Sequence, residues 1–201
     1  MPRVRSSTEE RQRQIIDAAR KIIATRGMED LRIRDLAKEV GISEAAIYRH
    51  FLSKKDILLW LIDDIERTLL DTVDRAASEK SEPLESLENV LKAHLSYVEQ
   101  RRGVSLIVIS ETLRLADKSL GKRMFEVVNR YLSRIEELLV QGVERGQISQ
   151  EIDLSTAALT FFAIIHTTVT LWALSNSAFS LAQRHKPLWD SYLAIIAVRG
   201  D

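Results

Sequence analysis

The 201-residue chain has no cysteine, which excludes disulfides, thiolate metal sites and cysteine nucleophiles. Glycine and proline are scarce, at seven and three residues, and strand-like alternation is rare, so an all-α fold is expected. Enzyme signatures are missing: there is no GxSxG, no GxGxxG after a strand, no P-loop and no HExxH. Asp63-Asp64-Ile65-Glu66 is the densest acidic cluster and reads most simply as a solvated helix face. The four histidines lie far apart, and none stands four residues from another metal ligand. Neither an enzyme nor a metal or other cofactor is therefore expected. Met1-Pro2-Arg3-Val4-Arg5 is too short and polar for a signal peptide, so a cytoplasmic location is expected.

Net charge is also absent, with 29 Lys/Arg against 29 Asp/Glu, but the balance hides a split. Residues 1–55 carry 13 Lys/Arg against 8 Asp/Glu, and residues 56–201 carry 16 against 21. A basic head on an acidic body points to a polyanion as partner of the head. The basic residues at the start of the chain fit a phosphate or minor-groove contact. Hydrophobic residues make up 45%, enough for a packed core.

Residues 33–51, IRDLAKEVGISEAAIYRHF, carry the most information. Ile33, Leu36, Ala37 and Val40 give a first helix one apolar face. Gly41 ends it in the left-handed region, Ile42 anchors the turn, and Ser43 caps a second helix. In that helix Ile47 and Phe51 face inward, leaving Ser43, Glu44, Ala46, Tyr48, Arg49 and His50 outside. This is a helix-turn-helix pattern, whose second helix enters the DNA major groove. Base reading falls to Ser43, Glu44, Ala46 and Arg49, with Arg34 reaching from the first helix. Arg suits guanine, Glu suits cytosine N4, and Ala suits the thymine methyl. Tyr48, His50 and Lys54 suit a phosphate clamp, with Lys54 at the start of the next helix.

The longer segment Ile15–Leu61 resembles the N-terminal domain of the TetR family of transcriptional regulators. The matching marks are Arg26-Gly27, Arg34-Asp35-Leu36-Ala37, Val40-Gly41-Ile42-Ser43, Ile47-Tyr48-Arg49-His50-Phe51 and Ser53-Lys54. Arg32, Glu44, Ala45 and Leu52 depart from the common pattern. The departures bear on operator sequence and leave the fold expectation intact. The resemblance implies about nine helices: a three-helix DNA-binding head over residues 1–53, then a ligand-binding and dimerisation bundle over residues 54–201. It further implies a homodimeric repressor on a palindromic operator. A small molecule in the bundle would move the helix opened at Ser53, change the separation of the two heads and release double-stranded DNA.

Helix 1 opens at a capping box, Ser7 with Glu10, and closes at Gly27. Ser53-Lys54-Lys55-Asp56 starts a long helix running to about Ala77. After the polar run Ser78–Glu82, helices are expected over Leu84–Gln100, Val104–Ala116, Leu120–Glu144, Leu154–Ser175 and Leu188–Val198. Leu154–Ser175 holds no Asp, Glu, Lys or Arg and is long enough to span a bilayer. Its five threonines, Ser155 and His166 argue for burial in a bundle or between subunits instead, and no membrane partner is expected. By resemblance it joins Leu188–Val198 in a four-helix dimer interface. A two-fold operator calls for two heads in any case.

Trp60, His94, Tyr97, Phe125, Tyr131, Phe161, His166 and Trp172 lie on apolar helices of the body. As a set they suit an apolar effector pocket with a few polar anchors, and singly each suits core packing. SEAAIYRHF, Ser53-Lys54 and the late apolar stretch Leu188–Ile196 also resemble the nucleoid-occlusion branch of the same family. That branch acts as a DNA-bound dimer on the cell-division filament, which is the alternative reading.

Overall fold

The computed structural model describes residues 8–77 and 82–198. Among them are nine α-helices in order: α1 Thr8–Arg26, α2 Ile33–Val40, α3 Glu44–Tyr48, α4 Lys54–Ala76, α5 Pro83–Gln100, α6 Val104–Leu115, α7 Lys118–Glu144, α8 Leu154–Leu174 and α9 His185–Ile196. Two 3-10 turns, Met28–Asp30 and Ala182–Arg184, complete the helical elements, and an isolated bridge pairs Ile148 with Ala197. The all-α expectation holds. Ser7 and the N-terminal basic residues, with Ser78–Ser81, lie outside the described residues.

Two compact units divide the chain. The first comprises Met1–Asp64 with Val104–Met124, and the second comprises Ile65–Gly103 with Phe125–Asp201. The helix α6 thus packs on α1 within the first unit. In that unit the α1 stripe of Ile15, Ala19, Ile22 and Ile23 is buried with Leu36, Ile47, Phe51, Leu58 and Leu61. At the start of α4, Ser53 Oγ accepts from Asp56 N–H and Asp56 Oδ2 accepts from Ser53 N–H, a reciprocal cap. The second unit packs α5 on α8 and α9.

Two helices begin two or three residues earlier than expected. The helix α7 begins at Lys118 because Asp117 Oδ1 accepts from the amides of Ser119 and Leu120. Lys55 holds that carboxyl far below the ordinary carboxylate range. The helix α9 starts at His185, so Pro187 falls in its first turn, where a missing N–H is harmless. After α8 the chain turns through Asn176 and Ser177 at φ of 54° and 61°, a left-handed turn made without glycine.

The uncharged helix α8 is long and apolar enough to cross a membrane by composition. It buries Ala157, Ala158, Phe161, Ile165, Val169 and Trp172 along one face. Elsewhere on the helix Leu159, Leu171 and Leu174 remain 54%, 57% and 76% exposed.

Candidate nucleic-acid interface

The turn between α2 and α3 is built as glycine chemistry demands. Gly41 sits at φ 75°, ψ 36°, and its N–H reaches the carbonyls of Ala37 and Lys38. Ile42 N–H then bonds Ala37 O at 3.0 Å, which satisfies the carbonyl end of α2. Ser43 is extended and its Oγ accepts from Ala46 N–H at 3.2 Å. Arg32 at the start of α2 makes no side-chain cap; a guanidinium only donates and cannot satisfy a free amide.

The core side of this unit fixes the angle of α3. Leu36, Ile47 and Phe51 are almost wholly buried, and the Phe51 ring meets Trp60 edge to face at 5.8 Å. On the other side Ser43, Glu44, Ala45, Tyr48 and Arg49 are exposed, as is Arg34 on α2, while Ala46 and His50 are half-buried. The helix α3 ends at Tyr48, so Arg49 and His50 fall just beyond it, in the turn toward Phe51. His50 Nδ1 is buried without a hydrogen-bond partner among the described residues. Ion pairs tie the scaffold together: Arg26 to Asp35 at 3.6 Å and Lys21 to Glu39, both between α1 and α2.

Lys54 has partners that sequence pattern did not anticipate. Its ammonium donates to Met28 O at 3.3 Å and lies 3.8 Å from Glu111 Oε1 on α6. Glu111 is 5% exposed and takes two hydrogen bonds from Arg114, at 2.7 and 2.9 Å. The Arg114 guanidinium, with Lys54 adding a weaker attraction, holds this carboxyl below the ordinary carboxylate range. Fifty-seven residues separate Lys54 from Glu111, so no local signal in the chain announces the pair.

The aromatic and imidazole candidates of the body do not form one constellation. Trp60 belongs to the first unit, against Phe51. In the second unit His94 Nδ1 and Tyr131 Oη are 2.9 Å apart, both side chains buried. Tyr131 also meets Phe162, which in turn meets His166. Burial, with His166 nearby, pulls His94 down to about 4, and burial lowers His166 as well. Phe161 packs edge to face on Tyr192, whose hydroxyl donates to Ala157 O at 3.0 Å. Trp172 is buried, and its ring carbon lies 3.1 Å from where a side chain at Gly103 would begin. Phe125 is 66% exposed. Tyr97, with the Arg101 guanidinium 5.6 Å over its ring, lines a groove of about 650 Å3 between α4 and α5.

An exposed, glycine-turned pair of helices on a buried three-helix core defines a helix-turn-helix DNA-binding head. The family model described as bacterial regulatory proteins, tetR family, matches residues 15–61, and that of the YsiA-like protein C-terminal region matches residues 64–195. The chain belongs to the TetR family and is a transcriptional regulator. It is 28% identical over 168 residues to the fatty acid metabolism regulator protein of Bacillus subtilis, covering 84% of this chain and 86% of that protein. It is 31% identical over 141 residues to the nucleoid occlusion factor SlmA of Vibrio campbellii, covering 70% of each. Its fold is similar to that of the transcriptional regulator FadR from Bacillus subtilis, solved in complex with stearoyl-CoA. That match has a TM-score of 0.79 at 26% identity and covers 90% of this chain and 97% of the other.

Proposed function

We propose that this protein is a homodimeric repressor that leaves a palindromic operator when its body binds a long-chain acyl thioester of coenzyme A. The observation that carries the reading is that head and body match one kind of regulator along almost the whole chain. The residues assigned to base reading are Arg34, Ser43, Glu44, Ala46 and Arg49, and those assigned to the phosphates are Tyr48, His50 and Lys54. Dimerisation is supported by the apolar residues of α8 and α9 that this chain leaves uncovered: Leu159, Leu171, Leu174 and Ile195. Burying such surface contributes about 25 cal/mol per Å2. An interface there also gives the uncharged helix α8 a reason other than a bilayer, in keeping with a cytoplasmic, non-enzymatic protein.

Effector control follows from linkage. A ligand that binds one conformer better than another shifts the population, and with it operator affinity. The helices α4 and α7 each begin in the head unit and end in the body unit, so α4 is a continuous element through which binding reaches the head. Buried aromatics such as Phe161 and Trp172 are candidates for contact with the acyl chain.

The test is operator binding followed by fluorescence anisotropy, with stearoyl-CoA titrated in. Release at a stoichiometry of one or two ligands per dimer supports the reading. Unchanged DNA affinity at saturating ligand removes it. The likeness to nucleoid-occlusion factors supports a second reading, a DNA-bound dimer acting on the division filament. It is the less favoured, because the family model of the body and the acyl-CoA-bound structural relative both point to the first. Filament binding that requires operator DNA, with no response to acyl-CoA, would reverse the order.

A further inference from the structure

The groove between α4 and α5 is a local inversion of charge. Its lining includes Arg75, Lys92 and Arg101, together with the hydroxyls of Thr68, Thr72 and Ser96, and contains no acidic residue. Yet residues 56–201 have a surplus of five acidic groups. Acids on the same two helices are engaged elsewhere. Asp74 pairs with Arg134 on α7, Glu88 lies 3.8 Å from Lys186, and Glu99 accepts from the amides of Leu181 and Ala182. None of the three cations is in an ion pair among the described residues. Arg75 Nε donates only to Asp71 O, and Arg101 lies over the Tyr97 ring.

Geometry favours an extended phosphorylated molecule over a single small anion. The volume, about 650 Å3, is that of a ligand site. Lys92 lies on α5 and Arg101 directly follows its last residue, nine positions on, which separates the two by about 13 Å along the helix axis. Arg75 faces them from α4. Cations spaced in this way meet phosphates at two places in a ligand, and the Tyr97–Arg101 stack offers a flat face to a purine. Duplex DNA is disfavoured, since a concave groove lined by small Ser, Thr and Ala side chains has no element to enter the major groove.

We propose that Arg75, Lys92 and Arg101 hold the nucleotide end of the acyl-coenzyme A effector, with its diphosphate and 3′-phosphate, in the α4–α5 groove. The proposal rests on the acyl-CoA reading given above. In this arrangement α5 and the second half of α4 bind the charged end of the ligand, so charge at these three positions sets the preference for thioester over free fatty acid.

Calorimetric titration of the full-length protein with coenzyme A, stearoyl-CoA and stearic acid tests this, using wild type, Lys92→Glu/Arg101→Glu and the milder Lys92→Gln. Operator affinity and melting temperature are recorded for each. The expected result is that charge reversal weakens stearoyl-CoA and coenzyme A at least tenfold, and Lys92→Gln weakens them severalfold. Stearic acid binding, operator affinity and melting temperature stay as they were. Equal stearoyl-CoA binding by wild type and both variants overturns the groove assignment and leaves the effector reading standing. A parallel loss of operator affinity also overturns it, by making the groove a DNA contact. If wild type binds neither thioester nor coenzyme A, the effector reading itself fails and the groove assignment falls with it.

Discussion

His94 makes the C-terminal unit sensitive to acid, and the size of the effect can be worked out. The imidazole is 6% exposed, hydrogen-bonded to Tyr131 Oη at 2.9 Å, and pulled from 6.5 to about 4 by burial and by His166. Its folded-state value is depressed, so the stability it contributes is present above pH 6.5 and is lost as pH falls through 4. Below pH 6.5 the unfolded chain takes up a proton that the folded one refuses. The whole difference is worth about 3 kcal/mol, of which about 2 kcal/mol is lost between pH 7.5 and pH 5.0. The assay is urea unfolding at fixed protein concentration at both pH values, for wild type and His94→Gln. The amide stays neutral throughout, so subtracting its pH response removes contributions from other groups. Wild type should lose about 2 kcal/mol more than His94→Gln. Equal losses would refute the claim that His94 is held neutral by its surroundings.

Substitutions at three further positions probe the head. Ile47→Ala empties a wholly buried site and should cost about 2–5 kcal/mol; circular dichroism is expected to keep the signal of the body while DNA binding disappears. Gly41→Val meets no atom within 4 Å of the new Cβ but must hold φ at 75°. Its cost, about 1–2 kcal/mol, is therefore conformational, and Gly41→Asn should recover most of it in a melting experiment. Glu111→Gln removes the carboxylate 3.8 Å from Lys54 and frees the ammonium for phosphate. Operator affinity at low salt should rise about two- to fivefold, and a fall in affinity without loss of melting temperature would contradict the pairing.

Much of the head is legible in the chain because its signals are local. Gly41, Ser43 and the spacing of Leu36, Ala37, Ile47 and Phe51 act within one or two turns, and each appears in the expected place. The limits of α7 and α9 shift by two or three residues, since caps and leading turns such as Asp117 and Ala182–Arg184 leave little periodic trace. Long-range partners are not legible. Nothing near Lys54 announces Glu111, and nothing near Arg75 announces Lys92. Trp60 reads as part of an apolar body helix, yet its partner is Phe51 of the head. The uncovered residues of α8 show the opposite limit: an uncharged helix signals burial without saying which chain provides the cover.

Operator DNA recovered by selection from a random pool and then bound across a salt series is the most direct measurement of the central claim. The expected result is a two-fold symmetric site and an affinity that falls steeply with salt. Tyr48→Ala with Lys54→Ala should weaken every sequence about equally and flatten the salt slope, whereas Arg49→Ala should relax preference at one base position in each half-site. Binding insensitive to salt, or unaffected by the Tyr48 and Lys54 substitutions, would contradict it.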